Sequence, residues 1–148
     1  MRFGDALAAA VAARESHVVL GLDPAPARVG DDPAAVRAFC RDVVAAAGPA
    51  CAAVKPQVAY FERLGAAGWD ALWDVAGAAA AAGLLVIMDA KRGDIDVTAA
   101  AYADGLLRGP VSAVTVNPMM GSDAVAPFVE RARQAGRGVF CLVRTSNP

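Results

Sequence analysis

The segment Leu84–Thr98, LLVIMDAKRGDIDVT, runs from five apolar residues straight into Asp89, Lys91, Arg92, Asp94 and Asp96. In an extended chain side chains alternate between faces, so Asp89 and Lys91 share one face with Ala90 between them. Gly93 lets the backbone turn, and Asp94 and Thr98, four apart at the start of a following helix, share a face of it. A second lysine, Lys55, also ends an apolar run, CAAVK. Opposite charges about 4 Å apart attract by ~4 kcal/mol at an effective dielectric near 20. A line of Lys55, Asp89, Lys91 and a further carboxylate therefore holds fixed alternating charge. Such an array suits a reaction in which negative charge moves on a small substrate and a proton must then be supplied.

Lysine is rare enough to matter. Of fourteen basic residues only Lys55 and Lys91 are lysines. Arginine serves the other basic positions, which points to a need at these two for a compact ammonium that can release a proton, as guanidinium does not. Other strand-end residues are Asp23, Asn117 and the run RTSN at 144–147. Taken singly, Asp23 and Asn117 are explained as polar groups solvating the ends of strands.

The elements that must position these groups are legible as five short apolar runs: VVLGL at 18–22, CAAV at 51–54, LLVIM at 84–88, VSAVTV at 111–116 and GVFCLV at 138–143. Each is too short and too continuously apolar for an exposed amphipathic element, so all five read as strands of a parallel sheet covered on both faces. Helical patterns lie between them. Asp32–Pro33 is an N-cap and first-turn pair, Gly48–Pro49 stops that helix, Gly83 ends an alanine-rich helix over about 69–82, and Ser122 caps a helix that Gly136 ends. The N-terminal stretch reads as a short helix. Strand ends recur about every 30 residues, the size of a βα unit. From length alone, five such units in 148 residues favour an open doubly wound sheet over a closed eight-stranded barrel, which takes ~250 residues. Against that, no helix follows the fifth run to cover it.

Composition excludes several classes. With 57% hydrophobic and 20% charged residues and a net charge of −1, the chain reads as one globular domain over 1–148, with no electrostatic footprint for nucleic acid. No apolar run approaches the ~18–20 residues of a membrane span. Cys40, Cys51 and Cys141 are odd in number and lack metal-ligand spacing, so they read as buried free thiols in a reducing, cytoplasmic setting. His17 reads as a surface residue, Trp69, Trp73 and Phe128 as helix faces packed on the sheet, and VERARQAGR at 129–137 as a solvated face.

Five segments in order, GLDPAP, VKPQVAYFERLG, MDAKRGDIDVTAAAYA, TVNPMMGSDAVAPF and LVRTSNP, resemble orotidine 5′-monophosphate decarboxylase, specifically its type 2 subgroup. The resemblance implies a (β/α)8 TIM barrel, displacing the doubly wound reading, with this chain holding about the first five βα units of an incomplete barrel. It implies that Lys55, Asp89, Lys91 and Asp94 form the catalytic tetrad, with Asp94 acting in the partner's site of a homodimer. Lys91 then stabilises the carbanion left at C6 of orotidine 5′-monophosphate and protonates it, giving uridine 5′-monophosphate without metal or organic cofactor. Asp89 lies beside the departing carboxylate and holds Lys91. Asp23 and Lys55 match positions that bind the ribose hydroxyls, joined by Asp94 and Thr98 of the partner chain, and Ser146 matches the serine that reads the pyrimidine. Asp96 stands where the family pattern has glycine, and Met119 and Met120 where it has an aromatic residue and a leucine. The phosphate-gripping loop and arginine of the family follow its sixth to eighth strands, so a fragment is expected: little activity alone, and association through unpaired first and fifth strands.

Two other readings compete. A metal-dependent sugar-phosphate decarboxylase or synthase of the same superfamily shares an Asp-x-Lys on the third strand, but the extra acidic ligands it would want are missing. A non-catalytic nucleotide-binding relic is the other.

Overall fold

The computed structural model describes residues 1–145 and 147. Helix α1 (Phe3–Arg14) precedes strand β1 (Val19–Leu22). A single turn α2 (Pro26–Val29) and helix α3 (Pro33–Ala47) lead to β2 (Ala53–Pro56). Then come α4 (Val58–Glu62), α5 (Gly65–Ala81), β3 (Leu85–Arg92), α6 (Asp96–Leu106), β4 (Ala113–Val116), α7 (Ser122–Ala135) and β5 (Gly138–Cys141). All five strands are parallel and lie side by side in chain order, β1-β2-β3-β4-β5. A flavodoxin-type sheet reverses its order at a switch point and carries helices on both faces. Among the described residues the strand order does not reverse, and the helices that connect the strands share one face.

The apolar residues explain why. One set of alternating strand positions, Leu22, Val54, Val86, Met88, Val114 and Val116, forms a single buried cluster with Val36, Cys40 and Val44 of α3, Phe61 of α4, Leu72 and Val75 of α5, Leu106 of α6 and Phe128 of α7. Every crossover helix thus covers the same face of the sheet. The helices are well punctuated. Asp32 Oδ1 accepts the Ala34 N–H at 3.0 Å, capping α3, whose regular turns stop at Gly48. Gly136 at φ +67 closes α7 in the left-handed conformation that glycine tolerates.

The opposite set of strand positions faces the other way. Ala53, Ile87 and Ala113 form a small second cluster with Leu85 and Phe3, at the strands' N-terminal ends. Gly138 makes room for it: a Cβ there would lie 2.3 Å from the Phe3 ring, which also meets Phe140 edge-on at 5.7 Å between centroids. On this face Val19 and Phe140, in the outer strands β1 and β5, are 42% and 40% exposed. Among the described residues these two strands are each paired on one side only, as expected.

Several expectations need correction. Helix α5 begins at Gly65 rather than near 69. Ser122 is the first residue inside α7, and Gly121 at φ +91 is its N-cap, with no side-chain hydrogen bond. Cys141 is exposed, not buried, because β5 is an outer strand, whereas Cys40 and Cys51 are buried as expected. Burial, then the charge of Asp23, pushes the Cys40 thiol up to about 12. Trp69 and Trp73 are only partly buried, and Trp73 lies under the Arg108 guanidinium at 5.1 Å. Among the described residues, no helix is long and apolar enough to cross a membrane.

Candidate active site

The C-terminal ends of β2, β3 and β4 bring three charged side chains and one hydroxyl to a point. Lys55 Nζ donates to Asp89 Oδ2 at 2.6 Å, and Lys91 Nζ donates to Asp89 Oδ1 at 2.6 Å. Asp89 is buried, 4% exposed, while the two lysine side chains are 36% and 43% exposed. The apolar run from Leu84 to Met88 is the mount that holds this carboxylate in a dry position, and the ammonium groups reach it from the open side. Asp89 accepts two more hydrogen bonds: Gln57 Nε2 reaches Oδ2 at 3.3 Å and Thr115 Oγ1 reaches Oδ1 at 2.9 Å. Burial by itself would raise the Asp89 carboxyl. The hydrogen bonds from Lys55, Lys91 and Thr115, with the Lys55 charge, outweigh it and hold the group below its ordinary value.

The same-face pairing of Asp89 and Lys91 is present, but simple alternation does not produce it. Lys91 has φ +48, in the left-handed region, and the β3–β4 register shifts between Met88 and Arg92. That irregularity re-aims the side chain, as bulges beside sites do. The Lys91 N–H is taken by Thr115 Oγ1 at 2.9 Å. The neighbouring Arg92 donates to Glu62 Oε1 of α4 at 2.6 Å and lies over the Tyr102 ring of α6, 5.5 Å from its centroid. Gly93 permits the tight return, since a Cβ there would sit 2.8 Å from the Asn117 carbonyl oxygen.

Asp94 and Thr98 are placed differently. Helix α6 starts at Asp96, so Asp94 precedes it and the helical i, i+4 argument does not apply to the pair. Asp94 Oδ1 accepts the Ile95 N–H at 2.8 Å, and Thr98 is exposed in the first turn. Among the described residues, no hydrogen bond or ion pair joins either to Lys55, Asp89 or Lys91. Asp23 follows β1, exposed, with its carboxylate folded over Gly21, the residue in register with Lys55. Asn117 Oδ1 accepts the Met119 N–H at 3.0 Å, the turn-stabilising contact expected of a strand-end amide. Ser146 lies outside the described residues. Asn117, Leu142, Arg144, Thr145 and Asn147 line a cleft of about 550 Å³ at the ends of β4 and β5.

Gln57 and Thr115 are the site groups that sequence reasoning passed over. For Gln57 the signal was the period-2 step from Lys55. For Thr115 it was the shared face with Ala113, but only the register Ile87↔Ala113 sets that face beside Asp89.

What the arrangement can do is hold two partly exposed ammonium groups against one buried carboxylate. The family described as orotidine 5′-phosphate decarboxylase / HUMPS matches residues 16–148. Orotidine 5′-phosphate decarboxylases from Deinococcus radiodurans and Nocardioides are 45% and 43% identical over 99% and 98% of this chain, and the matches cover 54% and 56% of those proteins. The chain thus spans about half the length of the curated relatives it matches. Among solved structures, a Streptomyces avermitilis protein assigned as an orotidine 5′-phosphate decarboxylase superposes with a TM-score of 0.93 at 44% identity, covering 99% of this chain and 54% of its own. The OMP decarboxylase of Leishmania donovani gives 0.86 at 39% identity, over 99% and 55%. Five parallel strands alternating with helices on one side match about half of these barrels, and with the matched residues 16–148 they show that this chain belongs to the orotidine 5′-phosphate decarboxylase / HUMPS family.

Proposed function

We propose that this chain, joined to the strands that close the barrel, decarboxylates orotidine 5′-monophosphate to uridine 5′-monophosphate without a cofactor. The observation that carries the reading is the Lys55–Asp89–Lys91 array, with a lysine ammonium 2.6 Å from each oxygen of a buried carboxylate. In the proposed reaction the bond between C6 and the carboxylate carbon breaks, carbon dioxide leaves, and the electron pair stays on C6. The Lys91 ammonium lies beside that developing charge, stabilises it, and passes its proton to C6. Solvent then reprotonates the amine. Asp89 fixes Lys91 and faces the departing carboxylate; Lys55 fixes Asp89 from the other side and, with Asp23, contacts the ribose. Asp94 and Thr98 serve the site of a second copy, a role consistent with the half-buried position of Asp94 just before α6 and the exposed position of Thr98 in its first turn. Ser146 reads the pyrimidine.

The donor set disfavours the metal-dependent sugar-phosphate chemistry within the same family. Both oxygens of Asp89 already face ammonium groups, whose charge repels a divalent cation. The test is turnover by the complete protein that contains this chain. Orotidine 5′-monophosphate is expected to lose its absorbance at the same rate with magnesium or with a chelator. Turnover of a hexulose phosphate that the chelator abolishes would overturn the reading.

A further inference from the structure

We propose that Thr115 is a positioning residue for this site: its hydroxyl locks the Lys91 backbone and the Asp89 carboxylate into one hydrogen-bonded ring. The inference rests on the decarboxylase reading for its kinetic consequence, but its structural core is independent of it. Thr115 Oγ1 accepts the Lys91 N–H at 2.9 Å, so its own proton is free to point elsewhere, and Asp89 Oδ1 stands 2.9 Å away to take it. Asp89 Oδ1 also accepts from Lys91 Nζ at 2.6 Å. The ring therefore runs from the Lys91 amide through the Thr115 hydroxyl to Asp89 and back through the Lys91 ammonium.

Lys91 is held at both ends by one loop of hydrogen bonds. This is a non-glycine residue at φ +48, a conformation that persists only where the surroundings fix it. An amide in that bulge has lost its regular ladder partner, and Thr115 is the partner supplied instead. Thr115 is only 8% exposed, so water does not substitute readily for its hydroxyl. The charged groups facing Asp89 are Lys55 from β2 and Lys91 from β3, with Gln57 the other neutral donor. Both lysines are long and partly exposed. Thr115 is the short, β-branched donor on a central strand and contributes the stiff reference point.

Valine at 115 keeps the shape and deletes both hydrogen bonds, while serine keeps the hydroxyl and deletes the methyl. Alanine lacks both, so alanine against serine repeats the comparison if the valine variant does not fold. The experiment follows these variants in the complete protein by three readings: turnover of orotidine 5′-monophosphate, the carbon-13 titration of the Asp89 carboxyl, and amide hydrogen exchange at Lys91. For Thr115→Val, kcat is expected to fall about 10-fold with KM nearly unchanged, as for a displaced rather than deleted group. The Asp89 midpoint should rise and Lys91 exchange should accelerate, while Thr115→Ser stays near wild type on all three. Wild-type Asp89 titration and Lys91 exchange in Thr115→Val would overturn the proposal, as would a serine variant as impaired as the hydroxyl-free ones. If wild-type protein turned over no substrate, the decarboxylase reading would fail by itself. The two magnetic-resonance readings would still decide the role of Thr115.

Discussion

The two faces of the sheet use the same strands for opposite purposes. On the helix-covered face, Val54, Val86, Met88 and Val114 are all below 2% exposed and pack against five helices. On the inner face the buried cluster is three residues with Phe3 and Leu85 beside it, and one strand-repeat further along the same face carries Lys55, Asp89 and Thr115. Stability is concentrated where side chains interdigitate, and polar chemistry is concentrated where they do not. The contrast explains why a parallel strand as dry as LLVIM ends in charge: one face anchors it, and the other presents the polar groups at its C-terminal end.

If that division is right, substitutions on the two faces should differ sharply, and the largest effect on folding is expected at the helix-covered core. Phe128, fully buried in α7, changed to alanine should cost about 3–5 kcal/mol by denaturant unfolding of this chain, from lost transfer energy and the cavity left behind. A loss below that of an exposed site would break the comparison. A smaller effect should appear with pH. The folded Asp89 carboxyl titrates below the ordinary value of 3.8, so its contribution is present above that pH and is lost as pH falls through the folded value, where the unfolded chain binds protons first. Wild-type stability should therefore fall below pH 3.8 more steeply than that of Asp89→Asn, in acid titrations followed by circular dichroism. Parallel curves would place the stabilisation elsewhere. The smallest effect is expected at Phe140, the same residue type as Phe128 but 40% exposed on the inner face of β5. Phe140→Ala should cost about 1 kcal/mol or less in this chain, because much of the ring already meets water. A cost equal to that of Phe128→Ala would show that the inner face is as well packed as the outer.

Much of this organisation was legible in the sequence because it rests on local pattern. All five strands lie within the apolar runs or run past their ends, and Asp32 and Gly136 end helices as their types require. Asp89 and Lys91 declared themselves through spacing and through the rarity of lysine. The parts that were not legible depend on register or on a single backbone angle. Alternation cannot foresee the left-handed turn at Lys91, which sets where its ammonium goes. Nor can it show that β4 is offset to bring Thr115 rather than Ser112 to Asp89, Ser112 instead accepting the Val86 N–H at 3.2 Å. The Glu62–Arg92 pair joins residues 30 apart and looks in sequence like two ordinary surface charges. Cys141 reads as buried by neighbourhood, yet lies exposed because its strand is an outer one.

The most direct measurement of the central claim is the turnover of orotidine 5′-monophosphate by the complete protein with Lys91 replaced by alanine, compared with wild type at saturating substrate. If the Lys91 ammonium stabilises and protonates C6, kcat should fall by about 10³-fold or more while the fold is retained. Undiminished kcat in Lys91→Ala would contradict the account.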